Sequence, residues 1–275
     1  MKIYLAGQNW KNRIITELLI TPLESRKMKV FLAGEWPCGD KSNNISLISG
    51  YKPYILESFF NVNKNTERLL PYYGDFLLDS GAFTFMQGNG KVPDWNAYIE
   101  RYADFIVRND IKKFFELDID SVVGYSKVLE FRKKLEDLTS RPCIPVWHIS
   151  RGIDEFKKMC DEYSYVALGG IAIKEIKKEG YKYFPILINE AHKREAKIHG
   201  LGFTNLSLLH KYHFDSVDST AWTAGNRFGY GYYFDGKTMK KKKVPKGYRI
   251  GKVRELAIHN FIEWCKFQKY AEVHL

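Results

Sequence analysis

Apolar and β-branched residues in this chain fall into short runs separated by stretches of helical periodicity. KIYLA (2–6), KVFLA (29–33), DFLLD (75–79), KFFELD (113–118), CIPVWH (143–148), YVALGG (165–170), KIHGLG (197–202) and FDSVDS (214–219) read as strands. Several are apolar throughout, as strands buried on both faces of a parallel sheet are. Between them, DWNAYIERYADFIVRN (94–109) puts Trp95, Tyr98, Ile99, Tyr102 and Ile106 on one helical face, with Asp94 as N-cap. SKVLEFRKKLEDL (126–138), IDEFKKMCDEY (153–163), LSLLHKY (206–212) and ELAIHNFIEWCKFQKYAEV (255–273) predict further helices. Strands alternating with helices in this way predict an α/β fold of the (β/α)8 TIM-barrel type, as one domain over residues 1–275. An open doubly wound sheet is the rival architecture. MKIYLAG (1–7) and MKVFLAG (28–34) nearly repeat each other, but the repeat does not continue into an array.

Composition narrows the class. Hydrophobic residues make up 45% of the 275, enough for a substantial core and incompatible with a disordered chain. The formal net charge is +11, and from Gly236 to Leu275 eleven Lys or Arg stand against three Glu. Such an asymmetry points to a polyanion beside the C-terminal segment, or to a solvated charged surface. YGYYFDGKTMKKKKVPKGYRI (230–250) has an Asp-Gly turn between aromatic-rich and lysine-rich stretches, the pattern of a hairpin or long loop. Lys240, Lys241, Lys242 and Lys243 are candidates to neutralise phosphates, with Arg227 in TAGNRFG. Tyr230, Tyr232, Tyr233 and Phe234 either stack on bases or pack the hairpin onto the body. The four cysteines, Cys38, Cys143, Cys160 and Cys265, form no CxxC pattern, so neither a disulfide framework nor a zinc ribbon is indicated. No apolar run reaches the length of a membrane span, and the polar N-terminus is unlike a signal peptide. A cytoplasmic protein without membrane contact is expected.

Chemistry-bearing residues gather at the predicted strand ends. LLDSGAF ends a strand in Asp79, with Ser80 and Gly81 behind it; FFELDID ends in Asp118 and Asp120. IPVWHIS ends in His148, VALGGIA in Gly169 and Gly170, while His199 opens HGLG and FDSVDSTAW holds Asp215 and Asp218. In parallel barrels the C-terminal strand ends converge on one mouth, where active sites are built. Taken singly, a strand-end Asp is more often a cap or turn former and a Gly-Gly pair a turn. Asp79, Asp118, Asp120 and His148 are ligand types suited to Mg²⁺ or Zn²⁺, but no fixed metal-site spacing links them.

The order of these motifs resembles the tRNA-guanine transglycosylase family and its relatives that insert 7-deazaguanines into DNA. DSGAF (79–83) is similar to that family's DSGGF/Y, GGIAIKE (169–175) to GGLAxxE, and HGLG (199–202) to MGxG. FDSVDS (214–219) is similar to the segment that ends in the family's nucleophile. The resemblance implies that Asp218 is the nucleophile at C1′ and Asp79 the general acid/base, with Ser80 in the substrate-binding DSGAF turn. It implies that Asp118 reads the Watson–Crick edge of the purine, and that Gly169 and Gly170 donate to it from the backbone. Glu175 would support that loop, Phe83 and His199 would sandwich the base, and His148 falls near a glutamine that contacts the purine. The chain departs from the family at His199 (usually Met), Ala82 (Gly) and Thr84 (often Gln), and lacks the CxCxxC zinc ligands. It is also markedly shorter than the usual bacterial tRNA enzyme. These departures favour the compact DNA-modifying branch. The expected partners are double-stranded DNA with a guanine flipped out and a free 7-deazaguanine base resembling preQ0, with no cofactor and no metal. The alternatives are tRNA-guanine exchange, a metal-dependent barrel hydrolase of a small molecule, and a catalytically inactive nucleic-acid-binding barrel.

Overall fold

The computed structural model describes residues 27–34, 51–81, 84–85, 93–171, 173–203, 205–243 and 248–275, with the side chains of 226–227 and 248–253 left out. The predicted strand at 2–6 lies outside the described residues, while its near-repeat at 28–34 supplies the first strand. Seven parallel strands form one curled sheet: β1 (Lys29–Ala33), β2 (Tyr54–Ser58), β3 (Asp75–Asp79), β4 (Val146–Trp147), β5 (Tyr165–Leu168), β6 (Lys197–Gly200) and β7 (Ser216–Ser219). Their order is β3-β2-β1-β7-β6-β5-β4. The two outer strands are linked by the segment at 113–116. Leu78 bridges Phe114 in parallel, and Phe115 bridges Ile144 just before β4. The predicted strands at 113–118 and 143–148 are thus reduced to single bridges and a two-residue strand. β2 escapes the sequence pattern, because YILES mixes a buried acid and a serine into its apolar run.

The fully apolar strands are explained by two separate cores. Phe31, Ala33, Leu56, Leu77, Phe115, Val146 and Ala167 fill the concave side of the sheet. Their neighbours Val30, Leu32, Ile55, Val166, Leu168, Ile198 and Val217 face outward and pack with helices. Alternate residues of one strand are therefore both buried, on opposite faces.

The helices are α1 (Lys64–Leu69), α2 (Trp95–Arg108), α3 (Asp120–Val123), α4 (Tyr125–Thr139), α5 (Gly152–Glu162), α6 (Phe184–Lys193), α7 (Leu206–Leu209), α8 (Ala221–Phe228) and α9 (Tyr248–His274). Asp94 caps α2 by accepting from the amides of Asn96 and Ala97. The predicted face Tyr98, Ile99, Tyr102 and Ile106 is buried. Its Tyr102 hydroxyl lies 3.1 and 3.0 Å from the carbonyls of Leu78 and Phe115, across the seam between β3 and 113–116. α1, α3, α6 and α8 escape the periodicity reading. α6 starts from Phe184-Pro185 rather than from a capping side chain.

The Asp-Gly turn does join two antiparallel strands, β8 (Tyr230–Phe234) and β9 (Met239–Lys243). α9 holds that hairpin through side-chain amides and acids. Asn260 accepts from Tyr232 N at 2.8 Å and donates to Tyr230 O at 3.1 Å, and Glu263 accepts from Phe234 N at 2.7 Å. On the sheet side, Gln268 donates to Val30 O and Tyr54 O, each at 2.6 Å, and accepts from Tyr54 N at 3.4 Å. One buried side-chain amide thereby supplies a rung where β1 and β2 have diverged. Replacing it with an isosteric apolar residue strands two carbonyls and an amide away from water, at ~1–3 kcal/mol per group. Gln268→Leu is expected to lower unfolding stability by at least about 3 kcal/mol, read as a reduced urea midpoint with unchanged slope.

Candidate functional site

Asp79 ends β3 in register with Ser58 of β2, and its carbonyl accepts from Phe59 N at 2.8 Å. The chain then turns so tightly that the Gly81 amide folds back onto Asp79 Oδ2 at 3.0 Å. Gly81 has φ +79°, and a Cβ there would come within 2.9 Å of Phe60 and of the Tyr98 hydroxyl. Glycine is what the turn requires. Ser80 is buried, with its carbonyl accepting from Tyr98 at 2.6 Å. Burial pushes the Asp79 carboxyl up to about 6; the Gly81 amide opposes this, and the charges of Asp218 and Asp118 reinforce it. Asp79 thus lies within electrostatic reach of acids from two sequence-distant segments. Phe83 lies outside the described residues.

Asp218 sits inside β7. Its Oδ1 accepts from Gly202 N at 2.6 Å and lies 3.2 Å from His199 Nε2. His199 is fully buried, with Nδ1 2.5 Å from Ser216 Oγ, which is itself bonded to the Tyr165 hydroxyl. The rings of Phe31, Phe115 and Tyr165 surround it. Expected to flank a base, His199 instead has no exposed face and holds Asp218 from beneath. Asp215, the other acid of FDSVDS, precedes β7 at its opposite end. It accepts from Ile198 N at 2.8 Å and pairs with His192 at 2.9 Å, a structural contact.

His148 lies between two carboxylates: Nε2 is 2.6 Å from Asp118 Oδ1 and Nδ1 is 2.7 Å from Glu175 Oε2. Burial works against a charged ring, yet the bonds to Asp118 and Glu175 outweigh it and lift the imidazole up to about 10. The bond to His148 in turn holds Glu175 below the ordinary carboxylate range. The Gly-Gly pair makes this clamp sterically possible. A Cβ on Gly169 would lie 2.8 Å from His148 Nε2, and one on Gly170 (φ +81°) 2.8 Å from Glu175 Oε2. The Gly169 amide, expected to donate to a base, is already given to Trp147 O at 2.9 Å. That expectation is corrected for Gly169, whose N–H belongs to the sheet. The clamp borders a cavity of about 330 Å³ lined by Asp118, Asp120, Ser121, His148, Ser150, Ile173 and Glu175. Asp79 and Asp218 are not on its wall.

A buried ionic chain supports that wall, and no motif in the sequence announces it. Arg151 binds both oxygens of Asp120, with Nε 2.7 Å from Oδ2, and reaches Glu116 Oε1 at 3.0 Å. Glu116, with no exposed surface, also accepts from Arg132 at 2.6 Å and from Val146 N at 2.8 Å. The Arg151 guanidinium lies 4.2 Å from the centre of the Tyr125 ring. The available signal is Glu116 itself: a lone acid inside the apolar run KFFEL requires buried cationic partners.

The hairpin lysines Lys240, Lys241, Lys242 and Lys243 are exposed. Of the aromatics opposite them, Tyr232 is buried and packs against Trp264, while Phe234 packs against Phe267 and Tyr270. Tyr230 is half-buried, and Tyr233, though exposed, lies against His259 with ring centres 4.9 Å apart. The aromatics therefore anchor the hairpin, and the lysines form its outer surface. The Arg227 side chain is outside the described set. Among the described residues no group of three or more His, Cys, Asp or Glu is arranged to hold a metal ion, and no helix is long and apolar enough to cross a membrane. No protein-family model matches the chain, and no curated protein matches it.

The Asp79 environment has a measurable consequence. Its folded-state pKa lies above the unfolded value, so ionising it costs stability. The cost is absent below about pH 4, grows through pH 6, and is complete above that. Asp79→Asn is expected to be more stable than the parent by about 1–3 kcal/mol at pH 7.5, with the gap closing near pH 4. Urea titrations at the two pH values measure it, and equal stabilities at pH 7.5 would refute the assigned environment.

Proposed function

We propose that this chain is a base-exchange transglycosylase acting on DNA, replacing guanine with a 7-deazaguanine through a covalent aspartyl-glycosyl intermediate. The observation that carries the reading is the pair Asp79, at the end of β3, and Asp218, within β7, electrostatically coupled but differently held. We read the bridges through 113–116 as closing the seven-stranded sheet into a (β/α)8 barrel. In that frame both aspartates, the clamp and the cavity share the C-terminal mouth.

Breaking a nucleoside glycosidic bond passes through an oxocarbenium-like transition state, so a carboxylate beneath the sugar stabilises it or captures it. Asp218, its Oδ1 fixed by Gly202 and His199, adds to C1′ as the bond to the base breaks. Asp79, with its carboxyl raised to about 6, gives its proton to the departing base. The incoming base then loses a proton to Asp79 as its ring nitrogen attacks C1′ and displaces Asp218. The strand stays tethered throughout. Asp118, with Glu175 and Asp120, provides an acceptor-rich wall suited to the N–H edge of a purine. His148 bridges the first two of these carboxylates. The base must leave its stack to reach such a mouth. The exposed Lys240–Lys243 ladder supports a polyanionic substrate.

Labelled guanine offered with duplex DNA or with tRNA tests the reading directly. Incorporation into duplex DNA is expected; incorporation into tRNA alone would move the assignment to the tRNA branch. Asp218→Asn is expected to reduce exchange by on the order of 10⁴-fold or more while leaving DNA affinity intact. In the parent, a DNA–protein adduct should survive denaturation. Exchange at the parent's rate by the Asn variant would remove Asp218 as nucleophile.

The hairpin gives an independent prediction. Counterion release makes the slope of log K against log salt about −0.9 per phosphate neutralised on B-DNA. Changing Lys240, Lys241, Lys242 and Lys243 together to Ala should flatten that slope by roughly 0.9 for each phosphate they neutralise. Exchange at saturating DNA should persist, since groups that bind phosphate position the duplex and do no chemistry. An unchanged slope identifies the lysines as a solvated surface.

A further inference from the structure

We propose that His199 is a positioning residue whose ring, oriented by Ser216 and Tyr165, holds a hydrogen-bond donor on Asp218 and so keeps the covalent sugar adduct short-lived. The inference rests on the base-exchange reading and gives roles to Ser216 and Tyr165, which no sequence motif singles out. Three adjacent strands supply the parts. Tyr165 belongs to β5 and His199 to β6, while Ser216 and Asp218 stand two residues apart in β7 and so share a face. His199 is paired with Ser216 across the sheet. The side chains form an unbroken line. Tyr165 Oη meets Ser216 Oγ, Ser216 Oγ lies 2.5 Å from His199 Nδ1, and His199 Nε2 lies 3.2 Å from Asp218 Oδ1.

Counting hydrogens gives the line a direction. Among the described residues the Tyr165 hydroxyl has no other hydrogen-bond acceptor, so its proton goes to Ser216 Oγ. The Ser216 proton then goes to His199 Nδ1, which must be bare to accept it. The single proton of the neutral ring is left on Nε2, facing Asp218 Oδ1. Protonating Nδ1 as well would turn the Ser216 proton back on Tyr165 and strand the proton of that hydroxyl. The ring has no exposed surface and lies among Phe31, Phe115 and Tyr165.

Asp218 Oδ1 thus receives two N–H groups, from His199 and from Gly202 at 2.6 Å. Among the described residues Oδ2 receives none, which leaves it as the oxygen that joins C1′. When Oδ2 does so and the glycosidic bond breaks, the carboxylate becomes an ester and Oδ1 its neutral carbonyl oxygen. When the incoming base attacks C1′ and gives its proton to Asp79, the C1′–Oδ2 electron pair returns to the carboxylate. Oδ1 is then again part of an anion. A donor binds an ionised acceptor more strongly than a neutral one, a preference worth roughly five- to tenfold in equilibrium. The His199 N–H therefore favours free Asp218 over its sugar ester.

The test uses the full chain, guanine-containing duplex DNA and free guanine. The adduct that survives denaturation is measured as guanine is added, because guanine drives the sugar off Asp218. His199→Met fills the space without a donor, and should raise the guanine concentration that halves the adduct by roughly five- to tenfold. His199→Gln, whose amide can donate to the same oxygen, should return that midpoint close to the parent's. Ser216→Ala keeps His199 and Asp218 but frees the tautomer, and should raise the midpoint as well. A variant that merely loosened the fold would lower the adduct at every guanine concentration and leave the midpoint where it is. In the parent, nitrogen NMR of the imidazoles should show His199 neutral and protonated on Nε2, its signals identified by their loss in His199→Gln. An unmoved midpoint in His199→Met or in Ser216→Ala, a midpoint in His199→Gln as high as in His199→Met, or a proton on His199 Nδ1 overturns the proposal while leaving base exchange standing. A parent that exchanges no guanine and forms no adduct overturns the base-exchange reading and this inference with it.

Discussion

Carboxylates brought to one end of a parallel sheet repel one another, and the architecture here is shaped by how that repulsion is answered. Asp79 ends β3, Asp118 and Asp120 follow the bridge segment, Glu175 follows β5 and Asp218 lies one residue from the end of β7, all toward the C-terminal side of the sheet. Three kinds of response are present. Asp118 and Glu175 share a protonated imidazole, and Asp120 is gripped by a guanidinium that Glu116 and Tyr125 hold from behind. Asp79 is left to desolvation, which raises its carboxyl so that it takes up a proton more readily than an exposed one does. Asp218 receives an amide and the edge of a buried histidine. Different answers create different chemical characters from one residue type.

That arrangement is partly legible in the sequence. Acids at the ends of apolar runs identify Asp79, Asp118, Asp120 and Asp218, because a strand end in a parallel sheet is where polar groups can reach a mouth. Periodicity also locates α2, α4 and α5 closely, since each has one apolar face and a charged opposite face. What the sequence withholds is pairing. Whether His148 touches a ligand or binds two acids depends on contacts across 30 and 27 residues. His199 reads the same in sequence whether it lines a slot or lies beneath a carboxylate. The Gly-Gly motif reads as a place where backbone meets base. Its nearest constraint is the clamp, because any Cβ there would strike His148 or Glu175. β2 is hidden for a related reason: Glu57, which breaks the apolar pattern of YILES, is buried against the hydroxyls of Thr66 and Tyr73.

Two ionic motifs of similar composition serve different ends. Arg132, Glu116, Arg151 and Asp120 alternate in sign from the interior toward the cavity, and their charges cancel along the row. A charge-balanced row of this kind costs little net stability while any single deletion leaves an uncompensated charge in a low dielectric, so it fixes geometry more than it adds strength. The Lys240–Lys243 row carries one sign and faces solvent. Its side-chain contacts within the fold are light, Lys240 lying 3.5 Å from Asp235 and Lys241 over the Tyr232 ring, and it is available to act at a distance.

The Gln268 amide rung also constrains the order in which the chain can fold. It lies 238 residues from Val30 and 214 from Tyr54, among the longest separations joined by a hydrogen bond in the described residues. During synthesis the seam between β1 and β2 emerges more than two hundred residues before the group that completes it. Until then, the Val30 and Tyr54 carbonyls at the base of the sheet have only water as a partner. Contacts of such sequence separation slow folding, because loop-closure entropy is lost before they form. The seam between β1 and β2 is therefore expected to persist as an unfinished edge on the ribosome, sealed only when α9 docks.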